Sequence, residues 1–419
     1  MTAPSDSAAA PPGALARRLP PGFVAAFALT WVSYASYYLG RKGYAVAKTH
    51  LARTYGVEAT YGVETVYLGA YAVGLYASGL VGDRVGARRL VGLGMIGVAA
   101  SVALFGAGSG WAVFFAAFFL NGLAQSTGWP GNIKAMAEWT TARNRGVTMG
   151  LWATCYQVGG MVATPIATAL LVAWGWRAAF FGPAVWVAIV GLSVLAFLRP
   201  GPAAAPPGTT ASEAAADRRA ARRKVLRSPA VWSYGAAYFC IKLMRYSLLF
   251  WLPWYLEKGL GYAPATAGYA STSFEVGGIV GTIGLGLLSD RVKGVSRAAF
   301  SAASLVALAG AFVLYDAVGG AGIAVNFAAM ALVGALLFGP DALLSGVATQ
   351  EIGGAAAAAV AAGVVNAIGS LGAILQEVVT RGVSSRWGWP ALFHVFVGLS
   401  ILSALCLAPA IRARPAPSS

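Results

Sequence analysis

Apolar residues run in long blocks along most of the chain, separated by short stretches rich in Gly, Arg and Asp. A block of about twenty residues, coiled with a rise of about 1.5 Å per residue, crosses a hydrocarbon core of about 30 Å. The pattern predicts spans at roughly 22–44, 64–82, 89–107, 111–133, 146–172 and 177–198. A second set is predicted at roughly 230–256, 265–288, 298–316, 321–345, 355–380 and 388–410. Between them, the segment beginning RPGPAAAPPGTTASEAAADRRAARRK has too much Pro, Ala and charge to bury a core. The expected organisation is a disordered cytoplasmic N-terminus (1–21), a six-helix bundle (22–198), a cytoplasmic linker (199–229), a second six-helix bundle (230–410) and a cytoplasmic tail (411–419). Such a chain is an all-α membrane protein.

Composition agrees. Hydrophobic residues make up 58% of the 419 and charged residues 11%, less than half of the roughly 25% usual in soluble domains. The net charge of +16 would suggest nucleic acid, but its distribution gives a different reason. Arg17, Arg18, Arg84, Arg88, Arg89, Arg143, Arg145, the basic run Arg218 to Arg227, Arg291, Lys293, Arg297, Arg412 and Arg414 fall in one set of alternate loops and the termini. The other loops hold Lys48, Arg53, Arg177, Lys258, Arg381 and Arg386. This bias is the positive-inside signal and places both termini in the cytoplasm of a multi-pass bacterial inner-membrane protein. No basic module stands apart from the spans, so no nucleic-acid partner is expected. Cys155, Cys240 and Cys406 lie within apolar segments without paired spacing, which predicts neither disulfide nor metal. The N-terminal residues lack the short apolar core and cleavage site of a signal peptide.

The halves echo each other. GLVGDR at Gly79–Arg84 returns as GLLSDR at Gly286–Arg291, and WGWRAAFF at Trp174 returns as WGWPALFH at Trp387. Asp83 and Asp290 are 207 positions apart, and the two tryptophans 213. Two echoes at nearly one offset indicate a parallel repeat of six spans. The segment GLVGDRVGARR resembles the signature loop of the major facilitator superfamily, which implies two six-helix bundles about a pseudo-two-fold axis. In that fold Asp83, Arg84, Arg88 and Arg89, with Asp290 and Arg291 in the repeat, form rim ion pairs that bias gating. Exposed pairs of this kind contribute about 0–1 kcal/mol each.

Charges inside spans need a reason, because a cation at the centre of a lipid-facing helix costs about 2.5–3.5 kcal/mol or more. Arg245 and Lys242 lie in AAYFCIKLMRYSLLFWLPWY, apolar on both sides. Arg245 is about 22 Å along a helix from Ala230, and the i, i+3 spacing puts both cations on one face. Arg41 and Lys42 close the first span, where a long cation can also snorkel. Arg41 and Arg245 are 204 positions apart, so the repeat makes them symmetry mates facing one central cavity. Two guanidinium forks suit the oxygens of a dianionic phosphoryl group. Glu275, Asp341 and Glu377 are the carboxylates within spans, available for ion pairing or for carrying a proton. Tyr37, Tyr38, Tyr156 and Tyr246 neighbour these charges or the presumed cavity helices; His50 and His394 read as loop and packing residues.

The same positions carry a resemblance to the organophosphate:phosphate antiporter family, which includes glycerol-3-phosphate, hexose-6-phosphate and glucose-6-phosphate transporters. The matching blocks are YYLGRKGYAVAK at Tyr37, FLNGLAQSTGWP at Phe119, LMRYSLLFW at Leu243, FEVGGIVGTIGLGLLSDR at Phe274 and FGPDALLSG at Phe338. The resemblance implies that Arg41 and Arg245 clamp the phosphoryl group, that Lys42 and Tyr38 line the cavity, that Glu275 faces it, and that Gln125 and Trp129 belong to its fourth-span wall. The second-span Lys and fifth-span His of glycerol-3-phosphate carriers correspond to Leu75 and Tyr156, and an Asp before the seventh-span Trp is replaced by Phe250. Lys242 and Asp341 are additional charges. These departures leave hexose phosphates, phosphoglycerates or phosphonates open as cargo in place of glycerol 3-phosphate, with inorganic phosphate as the exchanged anion.

The expected machine is a monomeric carrier with no cofactor, no metal and no enzymatic activity. Two other readings stand beside exchange. One is a membrane sugar-phosphate sensor with the transporter fold; the other is a proton-coupled organic anion symporter using Glu275 or Asp341.

Overall fold

A computed structural model describes residues 20–140, 145–202, 223, 227–292, 294–347 and 354–412. The predicted N-terminal tail, most of the linker and the last seven residues, 413–419, lie outside the described residues. The first half contains α1 (Phe23–Tyr55), α2 (Val63–Val85), α3 (Ala87–Ala107), α4 (Trp111–Gln125), α5 (Gly128–Trp139), α6 (Arg145–Trp174) and α7 (Ala178–Phe197). The second contains α8 (Pro229–Lys258), α9 (Pro264–Ala270), α10 (Ser273–Arg291), α11 (Arg297–Val318), α12 (Ile323–Ala342), α13 (Gly354–Cys406) and α14 (Ala408–Arg412). All regular elements among the described residues are helical. The pairs α4/α5 and α9/α10 are each one pass interrupted by a short break. Helix α13 is two passes joined at Gly388, whose φ of 81° is cheap only for glycine. Twelve passes result.

Seven segments are long and apolar enough to cross a membrane on composition alone. They leave out α1, α2, α4/α5 and α8, the passes that carry Arg41, Lys42, Lys48, Glu64, Gln125, Lys242 and Arg245. Their polar content is an interior property, since the same helices contribute to the two buried apolar cores, one in each half.

The repeat is visible in the packing. Helix α1 lies against α6 and α7 as α8 lies against α13; α2 pairs with α4 as α10 pairs with α12; α3 pairs with α7 as α11 pairs with α13. The close contacts repeat too. A Cβ on Gly122 would fall 2.3 Å from the Tyr67 carbonyl, and one on Gly334 2.1 Å from the Phe274 carbonyl. Small residues let these backbones touch, as membrane helices require when apolar lipid supplies no competing penalty.

One expectation is corrected here. Helix α1 continues to Tyr55, so Lys48 and Arg53 are not loop residues. The segment AVAKTHLARTY is rich in Ala, Leu, Lys and Arg, all strong helix formers, and Lys48 turns into the protein, where it is buried.

Candidate functional site

Midway along α1 the guanidinium of Arg41 is buried, 5% exposed, against α2 and α4. Its Nε and one terminal nitrogen both donate to Oε1 of Gln125, at 3.0 and 2.6 Å. Gln125 is fixed in turn: its Nε2 donates to the Tyr37 carbonyl at 3.1 Å, and the Tyr67 hydroxyl donates to its Oε1 at 3.1 Å. Rings of Tyr38 at 4.5 Å and of Tyr67 and Tyr71 at 6.0 Å surround the cation, supplying quadrupole attraction without any negative charge. The neighbouring side chain, Lys42, points to the other half and forms an ion pair with Glu275 at the start of α10.

In the second half, Arg245 on α8 donates through one terminal nitrogen to Oδ2 of Asp341 at 2.8 Å, with its guanidinium 4.5 Å above the Phe338 ring. The pair is single-pronged. Arg245 Nε and Asp341 Oδ1 are both buried without a hydrogen-bond partner. One turn earlier, half-buried Lys242 donates to Asn366 Oδ1 at 3.1 Å and packs its stem near Gly369. Tyr38 lies within the electrostatic reach of both Arg41 and Arg245, and Tyr156 within that of Arg245 and Asp341. The structure thus gathers Tyr38, Arg41, Lys42, Gln125, Tyr156, Lys242, Arg245, Glu275 and Asp341 around the middle of the boundary between halves. Trp129 stands apart. It packs against Tyr34 and Trp152, with centroids 5.3 and 5.7 Å away, and Tyr34 in turn packs against Tyr38, the ring beside Arg41.

A second polar cluster, not anticipated from the sequence, seals one end of the boundary. Lys48 and Glu64 form an ion pair with exposures of 1% and 0%. The other carboxylate oxygen of Glu64 accepts from Trp251 Nε1 at 3.0 Å and from Gln376 Nε2 at 3.1 Å, both from the opposite half. The Lys48 ammonium lies 3.5 Å from the centre of the Trp251 ring system. Beside it, Glu377 accepts from the backbone N–H groups of Gly62 and Thr65 at 2.7 and 3.1 Å and from the Thr65 hydroxyl at 2.7 Å. A carboxylate of one half therefore caps the N-terminus of α2 in the other, matching its partial positive charge. Glu257 on α8 takes Thr49 and Arg53 of α1, and Arg381 covers the Tyr61 ring at 3.9 Å. Sequence signals did exist. Lys48 follows Arg41 by seven residues, two helical turns and hence the same face, and Glu64 interrupts an otherwise apolar span start.

Arg88, Arg89 and Arg291 are exposed at the opposite end of the bundle. The side chains of Asp83, Arg84 and Asp290 lie outside the described residues.

Comparison with known proteins agrees with this arrangement. Residues 30–377 match the family model described as Major Facilitator Superfamily. A protein of Arabidopsis thaliana named as a glycerol-3-phosphate transporter is 30% identical, the match covering 84% of this chain and 75% of that one. Sugar phosphate exchanger 3 of Bos taurus is 29% identical over 83% of this chain and 79% of its own. Glucose-6-phosphate exchanger SLC37A2 of Bos taurus is also 29% identical, over 82% and 79%. Among solved structures, a bacterial homologue of the human lysosomal transporter Spinster, in an inward-facing and occupied conformation, superposes with a TM-score of 0.74 at 14% identity, covering 95% of this chain and 99% of that one. The fold, the family match and these relatives give one conclusion: the chain is a transporter that belongs to the major facilitator superfamily and, within it, to the organophosphate:phosphate antiporter family.

Proposed function

We propose that the chain exchanges an organophosphate for inorganic phosphate by alternating access, with the phosphoryl group gripped between Arg41 of the first half and Arg245 of the second. The observation that carries this reading is the state of Arg41. It is a buried guanidinium whose hydrogen-bond acceptor is a neutral amide instead of a carboxylate. Burying a cation without a counter-charge is costly, so the balancing charge arrives with the cargo. The names of the relatives, sugar phosphate exchangers and glycerol-3-phosphate transporters, support the same cargo class.

The cycle uses the boundary just described. With both termini cytoplasmic, as the distribution of Lys and Arg supports, the sealed end faces outward in a bacterial inner membrane. An incoming anion draws the two cationic walls together, which favours the moving state only when the site is loaded; the lipid-embedded monomer is sufficient for this. Glu275 and Asp341, the carboxylates on which the symport reading rests, are both engaged in ion pairs, which supports exchange over proton-coupled symport. Purified protein in liposomes should take up labelled phosphate only when phosphate or a phosphate ester is trapped inside. Equal uptake into liposomes lacking any internal anion would end the exchange reading.

A further inference from the structure

The described charged side chains of the chamber are four cations, Arg41, Lys42, Lys242 and Arg245, facing two carboxylates, Glu275 and Asp341. Two ion pairs use up both carboxylates: Lys42 with Glu275, and Arg245 with Asp341. The remaining cations are Arg41 and Lys242, one from each half. Each is held by an amide oxygen, of Gln125 and Asn366 respectively, and amides offer hydrogen bonds without charge. The chamber therefore carries an excess of two positive charges. Asp341 is what fixes that number. It neutralises Arg245 while engaging it through a single nitrogen, so the guanidinium keeps a free Nε for a ligand yet adds no net charge.

Resting on the exchange reading above, we propose that this chamber selects its cargo by total charge, with Lys242 and Asp341 as the residues that set the selected charge at two. The class it takes is the phosphate monoester with an otherwise uncharged body, such as a polyol or sugar phosphate. Hydrogen phosphate and such an ester both bring the chamber to neutrality, so the two legs of the exchange carry the same charge. A phosphorylated carboxylate leaves one negative charge over, and an aminoalkyl phosphate leaves one positive. Either remainder is disfavoured where the effective dielectric is low. The geometry also gives Lys242 a role separate from Arg245. Lys242 supplies charge, whereas Arg245 supplies directed hydrogen bonds.

The test compares three ligands of similar size as competitors of labelled phosphate exchange in liposomes at pH 8, where phosphate esters are dianionic. They are 3-phosphoglycerate with three negative charges, glycerol 3-phosphate with two, and phosphoethanolamine with a net one; glucose 6-phosphate serves as an additional dianion. Wild-type protein should prefer the dianions. Asp341→Asn, which raises the excess to three, should shift the ratio of trianion to dianion upward on the order of tenfold. Lys242→Gln, which lowers it to one, should shift the ratio of monoanion to dianion upward by a similar factor, and Lys242→Arg should retain the wild-type order. A variant that no longer exchanges is scored by ligand-induced shifts of its melting temperature with the same compounds. If one variant fails to fold, the other carries the test in the opposite direction. An unchanged order in a folded variant, or a wild-type preference for the trianion, overturns the assignment. Wild-type protein that exchanges phosphate for none of the esters refutes the exchange reading itself.

Discussion

The sealed end and the mid-depth chamber are made of the same residue types, yet they dispose of charge in opposite ways. At the sealed end, carboxylate and cation meet at full burial, and the second oxygen of Glu64 accepts two further donors from across the boundary. In the chamber, Arg41 and Lys242 are held by amides. Buried ions can be tolerated when charge is paired and hydrogen bonds are made, and at the sealed end Lys48 and both oxygens of Glu64 find partners within the chain. The chamber leaves two cations without a carboxylate from within the chain, a gap that the proposed anionic cargo would fill. The difference separates a latch, which must be complete without cargo, from a binding site, which must not be.

Three changes would break or sharpen that contrast. Glu64→Gln should have the largest effect, since it leaves the Lys48 ammonium buried beside a neutral amide. A loss of about 3–5 kcal/mol is expected for such an orphaned charge. It should be read as a lowered melting temperature, and as faster alkylation of a Thr65→Cys probe in a background lacking the three native cysteines. The double change Lys48→Gln, Glu64→Gln should recover most of the loss, and no recovery would mean that the pair is not the latch. Arg41→Gln should come next, lowering kcat/KM for phosphate exchange about a hundredfold, in keeping with the roughly 2–5 kcal/mol lost when a buried charge partner is truncated. Because Arg41 has no internal counter-ion, this change should leave melting in the absence of ligand nearly unaltered. A large drop in melting temperature would make Arg41 a structural residue instead. The smallest effect belongs to Arg53→Ala. Its side chain is 53% exposed, and its pairing with Glu257 should contribute about 0–1 kcal/mol. A change in exchange rate beyond twofold would show that the rim of the latch matters more than its exposure suggests.

Much of this was legible in the chain. The spacing of apolar blocks gave the passes, and the echoes around Asp83 and Asp290 gave the repeat that the packing displays. The chamber was legible because Arg245 and Lys242 sit in an apolar run with no local reason to be there. The latch was not. Lys48, Arg53 and Glu64 lie near span ends, where a charge is ordinarily wet, and although the helix formers of AVAKTHLARTY favour a longer α1, nothing local says that it carries Lys48 under the opposite half. Glu377 stood out as a carboxylate within a span, but its partners could not be read: Gly62 and Thr65 are backbone and side-chain donors more than three hundred positions away. Pairing between remote helix ends is decided by tertiary docking, for which a linear pattern has no period.

The contact between α10 and α12 bears on what can move. A Cβ on Gly277 would lie 1.8 Å from the Ala331 carbonyl, and one on Gly281 1.9 Å from that of Ala335, so the two backbones touch without any intervening side chain. Helices packed this closely are expected to move together, as one plate. That plate bears Glu275 on one helix and Asp341 on the other. In the proposed cycle both acidic groups would ride as passengers on a single body: the pair of Glu275 with Lys42 crosses the halves and would have to part, while that of Asp341 with Arg245 lies inside one half and could persist.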